Sequence, residues 1–295
     1  MALGSFLWIA AAGSQISIYG QSPDYALLKG DTGLGPCPIE YWTDQGAYQD
    51  GQTCLGQHMT PRTVTIPIMI SAPDPATLAT KIAALESSLD ATLGIGQLIF
   101  NRADGQSFVL NCGGLNSPTL DPSVCGPTWQ KATLTFIAHD PYWYGNPPVI
   151  IYFSGTPAPM FPNGHFNLPW SPGIFGGTQT FNNPGKISTA LITFVGPSTT
   201  PVITLLKGSN TYTIELNITL AAGDTFAINT NATQLTAIYT PNGGSLVNGT
   251  PYIDANSYLS TLLIGAGANT ITYSCTTAGT GSYCSVQYSP RYVGV

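Results

Sequence analysis

The run Ala132-Thr-Leu-Thr-Phe-Ile-Ala-His-Asp-Pro-Tyr-Trp-Tyr-Gly145 constrains the fold of this chain more than any other stretch. Ala132, Leu134, Phe136 and Ala138 alternate with other residues at period two, as a strand with one buried face requires. Asp140-Pro141 ends that strand, because a proline nitrogen has no proton to give to a ladder. Three aromatics, Tyr142, Trp143 and Tyr144, follow at once. What lies before the run and what lies after it differ in kind. Asp140, Pro141, Tyr142, Trp143 and Tyr144 are therefore expected to form a domain junction, with domains at 1–145 and 178–295 and a connector at 146–177.

The first part carries the one clear helix, expected from Pro75 to Leu93. Asp74 is a good N-cap, and Pro75 suits the first helical position, where its missing N–H would have no partner anyway. Leu78, Ile82, Leu85, Leu89 and Leu93 form one apolar stripe, and Gly94 stops the helix. Lys81, Glu86 and Asp90 fall on the outer face. Strands surround the helix: Thr63–Ile70, whose Pro67 points to an edge or a bulge, and Gln97–Phe100 with Gln106–Leu110, joined through the Asp104-Gly105 hairpin signal. The apolar start, Met1 to Ala12, lacks a basic n-region and reads as a buried first strand rather than a signal. Residues 20–58 are rich in Gly, Pro, Asp and Gln with isolated aromatics. They predict a long irregular loop or an extended hairpin, of the kind that usually serves a function or a partner.

From Asn146 to Gly177, prolines 147, 148, 157, 159, 162, 169 and 172 forbid regular ladders, leaving a single strand expected at Val149–Phe153. Short strands then recur at the spacing of a sandwich: Ala190–Val195, Val202–Leu206, Thr211–Leu220, Thr225–Asn229, Gln234–Tyr239, Tyr258–Leu263, Asn269–Ser274 and Tyr283–Tyr288. Turn signals such as Lys207-Gly208 and Asn242-Gly-Gly244 separate them. The fold class is thus mainly β with one main helix.

Composition narrows the function. Charged residues are 7% of the chain against about 25% in ordinary domains. A free monomer relies on charge for solubility, so a surface this poor in charge points either to burial in an assembly, the favoured reading, or to a harsh or saline solvent. The net charge is −6, and the eight basic residues are scattered. A nucleic-acid partner, which needs a basic footprint, is not expected. No run approaches the roughly 18 apolar residues of a membrane span, so no membrane insertion is expected. The six cysteines form no CxxC pair and, with three histidines, make no zinc pattern. Cys275 with Cys284, or Cys112 with Cys125, have hairpin spacing, but thiols are the expected state in a reducing compartment.

Catalysis finds little support. There is no G-x-S-x-G, HExxH, Walker loop or dinucleotide fingerprint. A glycosidase needs two opposed carboxylates; the candidates Asp224 and Asp254 sit in turns, where Asp224 is expected to cap the Gly223 turn. No catalytic residue, cofactor or metal is expected.

An ordered set of turns resembles a known family. Phe181-Asn-Asn-Pro-Gly185, Val195-Gly-Pro197, Pro201-Val-Ile-Thr204, Leu220-Ala-Ala-Gly-Asp-Thr-Phe-Ala-Ile228 and Leu263-Ile-Gly-Ala-Gly-Ala-Asn-Thr-Ile271 are similar to the C-terminal domain of distal tail proteins from phages with long non-contractile tails. The helix between strands and the Thr135–Tyr142 run resemble that family's N-terminal belt domain. The match runs in order over residues 60 to 295. It departs from the family in having Ala266 where Pro is common and Asn229 where Asp is frequent.

The resemblance implies an N-terminal β-sandwich-like belt domain and a C-terminal galectin-like antiparallel β-sandwich. It implies a structural, non-enzymatic virion protein: a homohexameric ring at the tail tip, assembled in the host cytoplasm. The ring would join the tail tube protein to the hub or receptor-binding protein. Residues 20–58 and the hairpin near 97–110 are the expected ring or tube contacts. The alternative is a lectin-like protein with Trp170, Tyr252 and Tyr258 as saccharide platforms. Against it, residues 180–290 contain no Trp, His or Arg, which a galectin site requires.

Overall fold

The structure is a computed structural model that describes residues 4–20, 22–115, 118–154, 175–231, 234–257 and 259–295. Among the described residues the fold is mainly β, with one α-helix and antiparallel sheets. Two compact units divide the chain: Met1–Asn146 together with Tyr292–Val295, and Pro147–Arg291.

In the first unit, β1 (Ser5–Ile9), β2 (Gln15–Ile18), β3 (Tyr25–Leu27), β4 (Ile39–Asp44), β5 (Thr53–Met59) and β6 (Arg62–Ser71) precede the helix α1 (Pro75–Ser88). After it come β7 (Gly96–Asn101), β8 (Ser107–Gly114), β9 (Thr119–Gly126), β10 (Trp129–Ala138) and β11 (Trp143–Asn146). The main sheet runs β2-β1-β7-β8-β10-β6-β3. β8 pairs with β7 through Cys112, then bends so that Gly113 and Gly114 pair with β10. Gly114 has to be glycine, because a Cβ there would lie 2.4 Å from the Leu89 carbonyl oxygen. Leu27 N–H donates to Tyr19 O at 3.1 Å, bringing β3 back beside the end of β2. The sheet thereby nearly closes around Phe6, Trp8, Ile66, Leu98 and Phe136, all buried. As expected, β1 is a buried strand, between β2 and β7.

Three local expectations need correction. The helix ends at Ser88, and a separate 3-10 turn, Ala91–Leu93, is capped by Asp90. Leu78, Leu85 and Leu89 are buried, but Leu93 is exposed, so the stripe stops one turn early. Lys81, expected on the outer face, reaches Asp24 and the Ser71 carbonyl and ties the helix to the sheet. Pro67 is neither at an edge nor in a bulge: β6 lies between β10 and β3. Its carbonyl accepts from Leu28 N–H at 2.9 Å, so the missing N–H faces the same side. There the chain passes through Gly30, whose φ of +110° lets it arch over the proline ring, before Thr32 and Thr65 resume the ladder.

The second unit is a sandwich. One sheet comprises β12 (Val149–Ser154), β14 (Ala190–Val195), β19 (Thr225–Asn229), β20 (Thr236–Thr240), β21 (Val247–Asn248) and β24 (Tyr283–Tyr288). The other comprises β13 (Phe175–Asn183), β16 (Val202–Lys207), β17 (Asn210–Glu215) and β22 (Gly267–Cys275). Their orders are β12-β24-β14-β19-β20-β21 and β13-β22-β16-β17. β15 (Ser198–Thr199), β18 (Thr219–Leu220) and β23 (Thr277–Ala278) form a small third sheet. Phe194, Phe226, Ile271, Tyr273 and Val286 lie in the core between the large sheets.

The strand expected at Val149–Phe153 is β12, which pairs fully with β24, while the other end of the stretch expected to be a connector is also a ladder strand, β13, paired with β22. The strand expected at Thr211–Leu220 is broken between Glu215 and Thr219. The one expected at Tyr258–Leu263 is instead a 3-10 turn, Leu259–Thr261, with Leu262 buried beside it. All six cysteines are thiols.

Two of the turn motifs quoted above meet at one atom. Asn183 and Asn269 are buried, and their side-chain amides both donate to Gly265 O, at 3.0 and 2.9 Å. Asn269 Oδ1 accepts from Gly265 N–H in return, and Asn183 Oδ1 from Gly185 N–H. Buried polar groups have to be paired, and here each asparagine amide fastens a turn that no apolar contact specifies.

Candidate assembly surface

The clearest exposed apolar feature of the first unit is the ribbon of β4 and β5, which among the described residues pair only with each other. Every β4 residue is exposed, and most of β5. Trp42 is 60% accessible, Leu55 68%, and Tyr48 at the tip fully so; Ile39 and Tyr41 are exposed too. An isolated two-stranded ribbon is only marginally stable in water, and contiguous exposed apolar groups mark an interaction surface. Within the ribbon, the Trp42 ring lies against Gly56 and 5.2 Å from the His58 ring, and His58 Nε2 is 3.4 Å from Glu40.

The base of the ribbon is rigid. Cys37 Sγ donates to Thr60 O, and Thr60 N–H to Pro38 O. Next to it Arg62 is buried, with its guanidinium donating to four backbone carbonyls. Nε reaches Pro141 O at 2.7 Å, Nη1 reaches Gly33 O at 2.5 Å and Gly35 O at 2.6 Å, and Nη2 reaches Val293 O at 2.5 Å. Burial pulls its pKa below the ordinary arginine value, yet a guanidinium stays charged in proteins. This one residue therefore joins the loop before the ribbon, the Asp-Pro step and the C-terminal residues. Its sequence signal is faint: a rare basic residue just ahead of an apolar strand.

The junction residues sit within the first unit. Trp143 is fully buried, its ring 6.4 Å from Phe100. Asp140 accepts from Tyr142 N–H and from the Tyr144 hydroxyl, which fixes the turn that carries Trp143 inward. The 97–110 hairpin is different from the β4–β5 ribbon. Its strands belong to the main sheet, and its tip is polar, closed by Arg102 with Asp104 at 2.7 Å and with Gln106. Of the two expected contact regions, only 20–58 presents a large apolar surface.

Of the expected saccharide platforms, one lies among the described residues. Tyr252 is half-buried in the 3-10 turn Thr250–Tyr252, edge-on to Tyr239 at 5.7 Å, while Trp170 and Tyr258 lie outside the described residues. Asp224 caps its turn as expected, accepting from Ala221 N–H, Asn242 N–H and the Tyr239 hydroxyl. Burial raises its pKa, but those three hydrogen bonds outweigh it and hold the carboxyl below the usual range. Asp254 is likewise occupied, by Asn256 and Asn217. Among the described residues no cluster of three or more His, Cys, Asp or Glu is placed to hold a metal ion, and no helix is long and apolar enough to cross a membrane.

No protein-family model matches the sequence, and no curated protein sequence matches it significantly. Solved structures do match. The SPP1 Dit protein, described as a paradigm of the hub adsorption apparatus in phages infecting Gram-positive bacteria, superposes with a TM-score of 0.67 at 14% identity, covering 98% of this chain and 99% of its own. A chain of the phage P2 baseplate, in its activated conformation with Ca, gives 0.59 at 11% identity over 100% of both chains. The form with Sr gives 0.57 at 11%, over 99% and 100%. The chain shares the fold of these hub and baseplate proteins from end to end.

Proposed function

We propose that this chain is a structural subunit of a bacteriophage tail tip. It forms a ring of identical copies, a homohexamer, that joins the tail tube to the host-adsorption hub. The observation that carries the reading is the end-to-end match of both units to the SPP1 Dit protein, with neither chain leaving a domain uncovered. The β4–β5 ribbon supports it. A closed ring needs a surface on each copy that is buried against the next, and Trp42, Tyr41, Tyr48 and Leu55 supply one on a rigid base. The low charge content suits a surface largely covered by other copies, the tail tube protein and the hub or receptor-binding protein. The chain acts in the virion tail tip, after assembly in the host cytoplasm, and carries out no catalysis.

The test is mass measurement on the purified protein, with imaging of any rings. Closed rings that become monomers in Trp42→Glu, with thermal stability retained, are the expected result. A strict monomer at high micromolar concentration would count against the proposal.

A further inference from the structure

The outer face of the larger sheet of the second unit carries an aromatic corner. Tyr152 on β12 stands opposite Ser285 on β24, and Tyr283 stands opposite Ser154. The two tyrosines are therefore diagonal neighbours on one face, within reach of each other as long side chains on a sheet are. Their rings lie 6.2 Å apart at 60°, one a floor and the other a wall, and they are 59% and 39% accessible. The edge strand beneath Tyr152 is held by Gln179, whose amide donates to the Tyr152 carbonyl at 2.6 Å.

The surroundings select the chemistry. Ser285 and then Thr193 continue the row that starts at Tyr152, and Ile150, Gln287 and Leu191 form the next row. Among the described residues, the outward positions of β12, β24, β14, β19 and β20 include no Asp, Glu, Lys, Arg or His. Such a face offers no ion pair to a phosphate or a carboxylate, and the chain's net charge of −6 repels polyanions. It does offer ring faces for C–H groups and hydroxyl and amide side chains for hydrogen bonds. A neutral sugar presents the matching pair of surfaces, an apolar C–H face rimmed by hydroxyls. A protein interface ordinarily adds arginine and a continuous aliphatic core; no arginine stands on these outward positions, and the exposed aliphatics Ile150 and Leu191 are separated by Gln287.

We infer that the Tyr152–Tyr283 corner is a binding site for a neutral saccharide. The inference is independent of the ring reading. A shallow site of two rings binds weakly alone, and several copies held together strengthen it through effective concentration.

The experiment titrates the full-length protein with neutral hexasaccharides of glucose, galactose and N-acetylglucosamine, read by saturation-transfer NMR. A glycerol-phosphate polymer is the anionic control. At least one neutral hexasaccharide is expected to bind. Tyr152→Ala and Tyr283→Ala should each weaken that binding about tenfold or more, which is about 1.4 kcal/mol. Tyr152→Phe should retain it, because the ring rather than the hydroxyl forms the floor. Ser285→Glu should also weaken it while leaving both rings in place, so loss of folding is not the explanation. Binding to none of the neutral sugars, binding untouched by these variants, or preference for the phosphate polymer would each overturn the assignment. A change in oligomeric mass in Tyr152→Ala without any sugar binding would overturn it in favour of a protein partner on this face.

Discussion

Arg62 Nε donates to the Pro141 carbonyl oxygen at 2.7 Å, joining the first residue of β6 to the proline that ends the long strand before it. Through the same guanidinium, Gly33, Gly35 and Val293 are drawn to one point. A forked donor with five N–H groups can serve four carbonyls at once; an ammonium cannot match that geometry. Arg62→Met leaves those carbonyls buried without a donor and is expected to cost about 3 kcal/mol. Arg62→Lys should recover less than half of the loss. Urea unfolding of the three proteins checks both.

Trp143 fills the first unit's core, and its indole N–H has no acceptor among the described residues. Its contribution is therefore volume. Trp143→Ala is expected to destabilise by about 3–5 kcal/mol and Trp143→Phe by only about 1–2, since no hydrogen bond is lost. Thermal unfolding that shows equal losses for the two variants would contradict this.

Asp224 sets a pH dependence whose sign follows from its lowered pKa. The unfolded chain takes up the proton more readily than the folded one. The stabilisation is complete above the ordinary carboxylate pKa of about 3.9 and is lost as pH falls through the lower folded value. Other carboxylates titrate there too, so the readout is a difference. The stability gap between the native protein and Asp224→Asn should be constant from pH 7 to 5 and shrink toward pH 2.5.

Thiol reactivity separates the cysteines. Cys54 and Cys125 are exposed, whereas Cys37, Cys112, Cys275 and Cys284 are buried. Burial pushes the Cys112 thiol up to about 12 and raises Cys284 well above its ordinary value. A thiolate is the reactive form. Maleimide at neutral pH should label two sites within minutes in the native protein and all six in urea, counted by mass spectrometry.

How much of this was legible in the chain depends on the range of the interaction. The helix start, the Asp140-Pro141 stop, the Asp104-Gly105 hairpin and the Asp224 cap were readable because backbone sterics and hydrogen bonds within a few residues decide them. The alternation of β10, β14, β19 and β24 was readable because one buried face imposes period two on the sequence. Pro67 misled, because the strand that covers β6 arrives from more than 30 residues away and leaves a gap at Gly30 that no local pattern announces. The helix end misled for a similar reason: Leu93 continues the stripe in sequence, but Asp90 captures Thr92 N–H and starts a new turn.

The sequence by itself determined the β-rich class, the order of the elements, the single helix and the turn at the Asp-Pro step, since each rests on contacts between near neighbours. Only the tertiary structure decided that Arg62 gathers four distant carbonyls, that β4 and β5 stand alone with their aromatics exposed, and that Tyr152 meets Tyr283 across 130 residues of chain. Those arrangements depend on which strand lies beside which. Strand order is settled by packing over the whole core rather than by any local propensity.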